Sequence, residues 1–237
     1  MINIYMQKLD IINNAEINNT PKKEVIDRAD LFKEELDVLM NLMLKSRLNT
    51  DTFALFTMLM LDSLPSYFFH VPASSTGKYH PQCSLGEGGL VRHTKLGMKV
   101  ATENFVLTTM FNLSNEAKVM AYIALMFHDG FKHGFNHAPY TDAKHPLFIK
   151  QVMNDIINKM ENLEVFINDT DITDMKALRG IAEAVSTHMG QWTFDYRSKK
   201  KILEEPRTPL ELFIHLCDYT ASRKVFDYYG EMMKGIK

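Results

Sequence analysis

The run AYIALMFHDGFKH at residues 121–133 sets the strongest constraint on how this chain can fold. An apolar stretch there delivers a histidine and an aspartate, His128 and Asp129, side by side at its end. Successive residues of an α-helix point about 100° apart, so two neighbours face one ion only where the helix stops or bends. Gly130 follows at once and supplies such a break. A neutral imidazole beside a carboxylate is a mixed nitrogen and oxygen ligand pair, suited to a borderline or hard divalent metal. By itself the dipeptide is weak, because His-Asp also serves as a polar cap at helix ends. A metal reading requires the rest of the chain to bring further ligands to the same place.

The flanking sequence is helical in pattern. In residues 22–47 the apolar positions Val25, Ile26, Ala29, Phe32, Leu36, Leu39, Met40 and Met43 recur mostly at three- and four-residue steps, which predicts an amphipathic helix. Thr50-Asp51 is a cap for a second helix over 52–64, apolar on most sides and therefore buried, which Pro65 ends. Residues 65–89 differ in kind: three prolines, four glycines and four serines forbid long regular structure and mark either a functional loop or a linker. Helix resumes over 90–111, and Ser114 caps another that runs to Phe127. A polar loop covers 130–144, and His145-Pro146 opens a helix to about residue 160, with proline in its first turn. A further helix spans 171–189 and stops at Gly190. Thr208-Pro209 opens the last long one, through His215, Asp218 and Arg223 to about residue 229. Residues 1–20, rich in Asn and Ile without a helical period, read as a lead-in arm. No alternating Val/Ile/Thr strand pattern and no internal repeat occurs, so the expectation is an all-α chain.

Composition narrows the class. A length of 237 residues suits one domain with a full core, or a core domain with an appendage. A net charge of −2 argues against wrapping long nucleic acid by charge alone, while a local basic groove stays open. Two cysteines make no disulfide framework, and sixteen methionines suit a reducing interior. The N-terminal residues lack a signal-peptide pattern, and no apolar run approaches the roughly 20 residues that span a bilayer. The expectation is a cytoplasmic protein without a membrane partner.

Histidines and aspartates at helix ends or on inward helix positions form a set: His93, His128, Asp129, His145, His188 and Asp218. Helices that each project one such residue inward are a general way to build a metal site in a bundle. Four imidazoles and two carboxylates suffice for two ions with one bridging carboxylate, an arrangement that activates water and clamps a phosphoryl group. Taken singly, each has a plainer reading. His93 suits a half-buried core position, His188 a helix C-terminus, and His145 a helix start before proline. Asp218 lies in the apolar FIHLCDYTA, where an unpaired carboxylate is costly, and so requires a metal or an arginine.

The order His…His-Asp…Asp resembles the HD-domain superfamily of metal-dependent phosphohydrolases, in motifs closest to the HD domain of bacterial 3′-5′ exoribonuclease-like proteins. GGLVRHT is similar to that family's lead-in to its first ligand helix, and ALMFHDGFKHG to its apolar run into His-Asp-x-x-Lys, with Lys132 at the lysine position. KHPLF, HMGQW and LFIHLCDYTASR resemble the later ligand elements, and PASSTGKYH the upstream Pro-Ala…Tyr-His segment. The likeness covers about residues 71–223. Gly-Phe after the pair and Met189 after His188 depart from the family pattern, and no nucleic-acid-binding β-barrel precedes the domain.

The resemblance implies an HD-type helical domain over 66–237 behind N-terminal helices in 1–65. It implies one or two divalent ions (Mn, Mg or Fe) on the six ligands named. The expected activity is metal-dependent hydrolysis of a phosphomonoester or phosphodiester in a nucleotide, cyclic nucleotide or short oligonucleotide. Asp129 and Lys132 are then the catalytic residues, and Lys132, Arg92, Arg223 and His80 the substrate contacts, with Thr94 a support for the ligands. Two alternatives share the scaffold. Some relatives, such as myo-inositol oxygenase, use a similar ligand set for a di-iron centre, and a non-catalytic nucleotide-binding module is the other. Trp192, Phe194 and Tyr196 suit either base stacking or the core. His70, His133 and His137 read as solvent or loop residues, His215 as a packed helix histidine, and Lys199, Lys200 and Lys201 as a solvated loop.

Overall fold

A computed structural model describes residues 22–74, 76–105, 108–162, 172–196, 198–225 and 227. Its helices are α1 (Lys22–Leu31), α2 (Lys33–Met43), α3 (Thr50–Ser63), α4 (Gly89–Asn104), the single turn α5 (Thr108–Phe111), α6 (Asn115–Phe127), α7 (His145–Glu161), α8 (Ile172–Val185) and α9 (Pro209–Ala221). Two 3-10 turns, Ser66–Phe69 and Gln82–Ser84, interrupt the long loop between α3 and α4. Among the described residues the nearest approach to strand pairing is one antiparallel bridge between Phe194 and Lys201. The fold is all-α. No described helix is long and apolar enough to cross a membrane.

Helix α6 lies at the centre. The Ser114 hydroxyl accepts the Ala117 amide hydrogen and starts it, and every residue from Ala121 to Phe127 is at most 2% exposed. Its apolar circumference requires neighbours on all sides, and α2, α4, α8 and α9 supply them. Burying each large apolar side chain there contributes about 1.5–3 kcal/mol. One apolar cluster continues from α6 into α2 and α3 and into α4, α7, α8 and α9.

Several boundaries differ from the sequence reading for local reasons. The single helix expected over 22–47 is broken at Phe32, whose backbone leaves helical geometry (φ −102°, ψ 19°) while its ring is fully buried. It stops at Met43. Ala29, Phe32, Leu36, Leu39, Met40 and Met43 are buried as expected; the Val25 and Ile26 side chains and the arm at 1–20 lie outside the described residues. Helix α3 begins at Thr50, two residues early, because the Asn49 side chain accepts the Thr52 amide hydrogen at 3.0 Å. Helix α4 ends at Asn104, α8 at Val185 and α9 at Ala221, each short of its expected end. The start of α9 is a capping box between Thr208 and Glu211. Gly130 does follow the end of α6, but space is its requirement: an added Cβ would lie 2.6 Å from Leu64 Cδ2.

Arg28 ties α1 to the far end of α3. Its buried guanidinium donates to the carbonyls of Leu61 (3.0 Å), Asp62 (2.7 Å) and Leu64 (2.9 Å), and to Glu24 Oε1 (2.7 Å). Those carbonyls have no partner further along the helix, and a cation at a helix C-terminus also meets the favourable end of the dipole. Arg28→Met is expected to lower unfolding free energy by about 3 kcal/mol in urea titration, since charge-assisted bonds are lost and buried acceptors stranded. A loss below about 0.5 kcal/mol, typical of an indifferent surface site, would show that these carbonyls need no such partner.

Candidate metal centre

Three of the expected ligands are aimed by the same device. His128 caps α6 and donates from Nδ1 to the Leu125 carbonyl at 2.7 Å. His145 begins α7 and donates from Nδ1 to the Asp142 carbonyl at 2.7 Å. His188, in the turn after α8, donates from Nδ1 to the Val185 carbonyl at 2.8 Å. Each carbonyl lies three residues earlier, so each ring is locked with Nε2 facing inward. His93 comes from α4 and Asp218 from α9.

These atoms converge on Asp129. Its Oδ2 lies 3.5 Å from His128 Nε2 and 3.7 Å from His93 Nε2, and its Oδ1 lies 3.1 Å from His145 Nε2 and 3.8 Å from His188 Nε2. Asp218 Oδ1 closes the first side, 3.0 Å from His93 Nε2 and 3.4 Å from His128 Nε2. Two groups result, His93–His128–Asp218 and Asp129–His145–His188, each with ligand atoms within 4.8 Å of one another. All six expected ligands are brought together. Five are buried, and Asp218 is the partly open one, with 17% of its side chain exposed.

The electrostatics are those of a cation site. Burial works to raise the Asp129 carboxyl, yet Lys132, then His128 and His145, hold it well below the usual carboxylate range. Burial likewise opposes ionisation of Asp218, and His128 and His93 hold it low. Burial disfavours a charged His128, but Asp129 and Asp218 outweigh it and raise the ring to about 9. Burial, then His145 and His128, push His188 down to about 3. The two carboxylates thus draw positive charge onto His128, while burial outweighs them at His93 and His188.

The residues present fit a divalent ion. His128 Nε2 is buried and has no hydrogen-bond partner. The Nε2 atoms of His145 and His188 lie 3.1 Å apart. With both Nδ1 atoms turned to carbonyls, the two Nε2 atoms face each other, a contact that a shared cation relieves. The mixed imidazole and carboxylate donors suit a borderline or hard divalent metal.

A cavity of about 490 Å³ opens above this cluster, and Asp129, His145 and Asp218 form part of its wall. Lys132, His80 and Arg223 line it as well. The Lys132 ammonium donates to Asp129 Oδ2. His80 sits edge-on to His93 with ring centroids 5.0 Å apart, and burial, then the charges of His93 and Lys132, push it down to about 3. Arg92 does not line the cavity. It donates to the carbonyls of Cys83, Leu85 (2.8 Å) and Glu87 (2.8 Å) and so pins the loop before α4. Thr94 is buried with its hydroxyl unpartnered.

Other histidines depart from expectation. His133 is buried, not solvated, against the ring of Tyr67, whose hydroxyl donates to the Gly134 carbonyl at 2.8 Å and accepts the His133 amide at 3.3 Å. His215 is more than packing: it donates from Nδ1 to the His188 carbonyl at 2.8 Å and so fixes the turn that presents His188. Gly190 makes room for it, since its Cβ would lie 2.1 Å from the His215 ring and its φ is +62°. The three-residue step from His215 to Asp218 on one helix face was the available signal. Trp192, Phe194 and Tyr196 are exposed at 47%, 59% and 84%, and Trp192 lines the cavity, so they are not core. Lys199, Lys200 and Lys201 are exposed as expected.

No family model, no curated protein and no solved structure matches this chain.

Elemental analysis of the purified protein is expected to find divalent metal, and Asp129→Ala to lose nearly all of it, because this carboxylate faces both groups. His188→Ala is expected to lose only part. Wild-type metal content in a folded Asp129→Ala protein would overturn the site. Arg92→Gln is expected to speed amide exchange at residues 83–87 about tenfold, equal to about 1.4 kcal/mol of local stability, with metal content unchanged.

Proposed function

We propose that this chain is a metal-dependent phosphohydrolase of the HD type, acting on a phosphate ester of a nucleotide, cyclic nucleotide or short oligonucleotide. The observation that carries the reading is the single carboxylate Asp129, with one oxygen turned to each of two histidine groups in the wall of a cavity. Divalent ions in such a site supply a water acidic enough to attack phosphorus near neutral pH and offset the charge on the phosphoryl oxygens.

The chain's own residues perform the rest. His93, His128, His145 and His188 hold their rings rigid through backbone bonds or burial, so the ligand geometry is fixed before substrate arrives. Lys132 spends one of its three N–H donors on Asp129 and lines the cavity, which leaves donors for a phosphoryl oxygen. Such a donor acts most strongly where charge grows in the transition state and water is scarce. His80 faces the cavity as a neutral ring, a hydrogen-bonding group without charge.

The test is a phosphate- and nucleoside-release screen with Mn²⁺, Mg²⁺ and Fe²⁺ across mono-, cyclic and short oligonucleotides. Metal-dependent turnover of at least one class is expected. Lys132→Ala should lower kcat about 10²-fold, the usual scale for one lost transition-state donor, with metal content unchanged; an unaltered rate would assign Lys132 to structure alone. Bound iron with O₂ consumption and no hydrolysis would transfer the reading to the oxygenase chemistry of the same scaffold.

A further inference from the structure

Arg223 stands in the cavity wall without a counter-charge. A guanidinium has five N–H donors in a rigid fork. One Nη2 hydrogen goes to the Ser222 hydroxyl at 3.1 Å, while Nε is buried and without a hydrogen-bond partner. Among the described residues no carboxylate lies within ion-pair distance of it. The two acids nearest in sequence are both engaged elsewhere: Asp218 Oδ1 faces His93 and His128, and Asp227 Oδ1 accepts the Gln82 amide at 2.7 Å. The guanidinium is held over two rings, 4.2 Å from the centroid of Tyr219 and 5.7 Å from that of Tyr79. Ring faces orient a cation and attract it, but they do not neutralise it. A fork of donors held in place and, among the described residues, without a carboxylate partner is built for an anion with several oxygens.

Arg223 lies past the end of α9, five residues beyond Asp218, and Lys132 already serves the other side of the same cavity. Between the two positions the wall is aromatic: Trp192, half exposed, stacks on Tyr219 with centroids 5.9 Å apart and planes 19° apart. A cation, a cluster of candidate metal ligands and an aromatic face in the wall of one cavity match a nucleotide with two phosphoryl groups separated by its sugar.

We propose that Arg223 binds a second phosphoryl group of the substrate, so that the preferred substrate is a nucleoside bisphosphate or a 5′-phosphorylated oligonucleotide, not a nucleoside monophosphate. This rests on the phosphohydrolase reading for what happens at the metal end, but its binding prediction does not. Trp192 is the chain's single tryptophan, so intrinsic fluorescence reports on this cavity directly. Full-length protein is titrated with adenosine 5′-monophosphate, adenosine 3′,5′-bisphosphate and the dinucleotide pApA. One series is run in EDTA, where nothing turns over, and one as initial rates with Mn²⁺.

In EDTA the bisphosphate, pApA or both should bind about tenfold or more tightly than the monophosphate, as expected for a charge-assisted bidentate contact. The one that does identifies the source of the second phosphate. Arg223→Gln should reduce that preference to below about twofold, and Arg223→Lys should keep only part of it, because lysine has the charge without the fork. Equal binding of all three probes by the wild-type protein would overturn the proposal whether or not the variants fold. Preference retained in a folded Arg223→Gln protein would also overturn it. Turnover without any preference defeats the subsite and leaves the hydrolase reading standing. Preference in EDTA without turnover of anything defeats the hydrolase reading and leaves the subsite standing.

Discussion

A buried carboxylate among four imidazoles governs this molecule. Asp129 is 3% exposed, and a carboxylate stays ionised at that depth only with positive charge beside it. Lys132 and His128 answer on one oxygen, and His145 and His188 approach the other. His145 and His188 arrive from stretches of chain remote from His128 and Lys132, so the position of the carboxylate fixes where α6 must end, where α7 must begin and where the turn after α8 must lie. The apolar shaft of α6 places Asp129 at depth, and the missing side chain of Gly130 lets Leu64 close behind it.

The wall behind that centre is made by the N-terminal helices. Helix α2 packs on α6, α1 on α3, and α3 on α7. The side chains of Leu36, Leu39, Met40 and Met43 therefore share the core that supports the metal ligands. Arg28 fastens this layer at one point through the carbonyls at the end of α3, next to the start of the cavity-forming loop. Rigidity at a ligand cluster requires support of this kind, because metal geometry tolerates only small displacements.

Much of this was legible in residue order. Helical period, Ser114, Thr208-Pro209 and His145-Pro146 located the elements, since caps and prolines act through bonds to residues one turn away. The six metal-ligand candidates were legible as a set: they lie at helix ends or in apolar helices, each has a plainer reading alone, and the resemblance in motif order joined them. What escaped depends on partners that helical period and caps do not specify. Phe32 leaves the helix as its ring fills a gap in the core. Arg92, expected at the substrate, finds three loop carbonyls first. His215 looked like packing because the carbonyl it holds is 27 residues away. The exposure of Trp192, Phe194 and Tyr196 follows from a turn whose course no local pattern specifies.

The bond from each ligand ring to a carbonyl three residues back has a consequence for how such a site persists through sequence change. Every amino acid supplies a carbonyl, so the bonds that His128, His145 and His188 rest upon do not themselves specify the side chains at 125, 142 and 185. Inheritance of this centre then asks for three tight turns and six ligands, and leaves most of the surrounding text free to drift. A lineage under that rule can keep its chemistry long after the resemblance between its members has worn away.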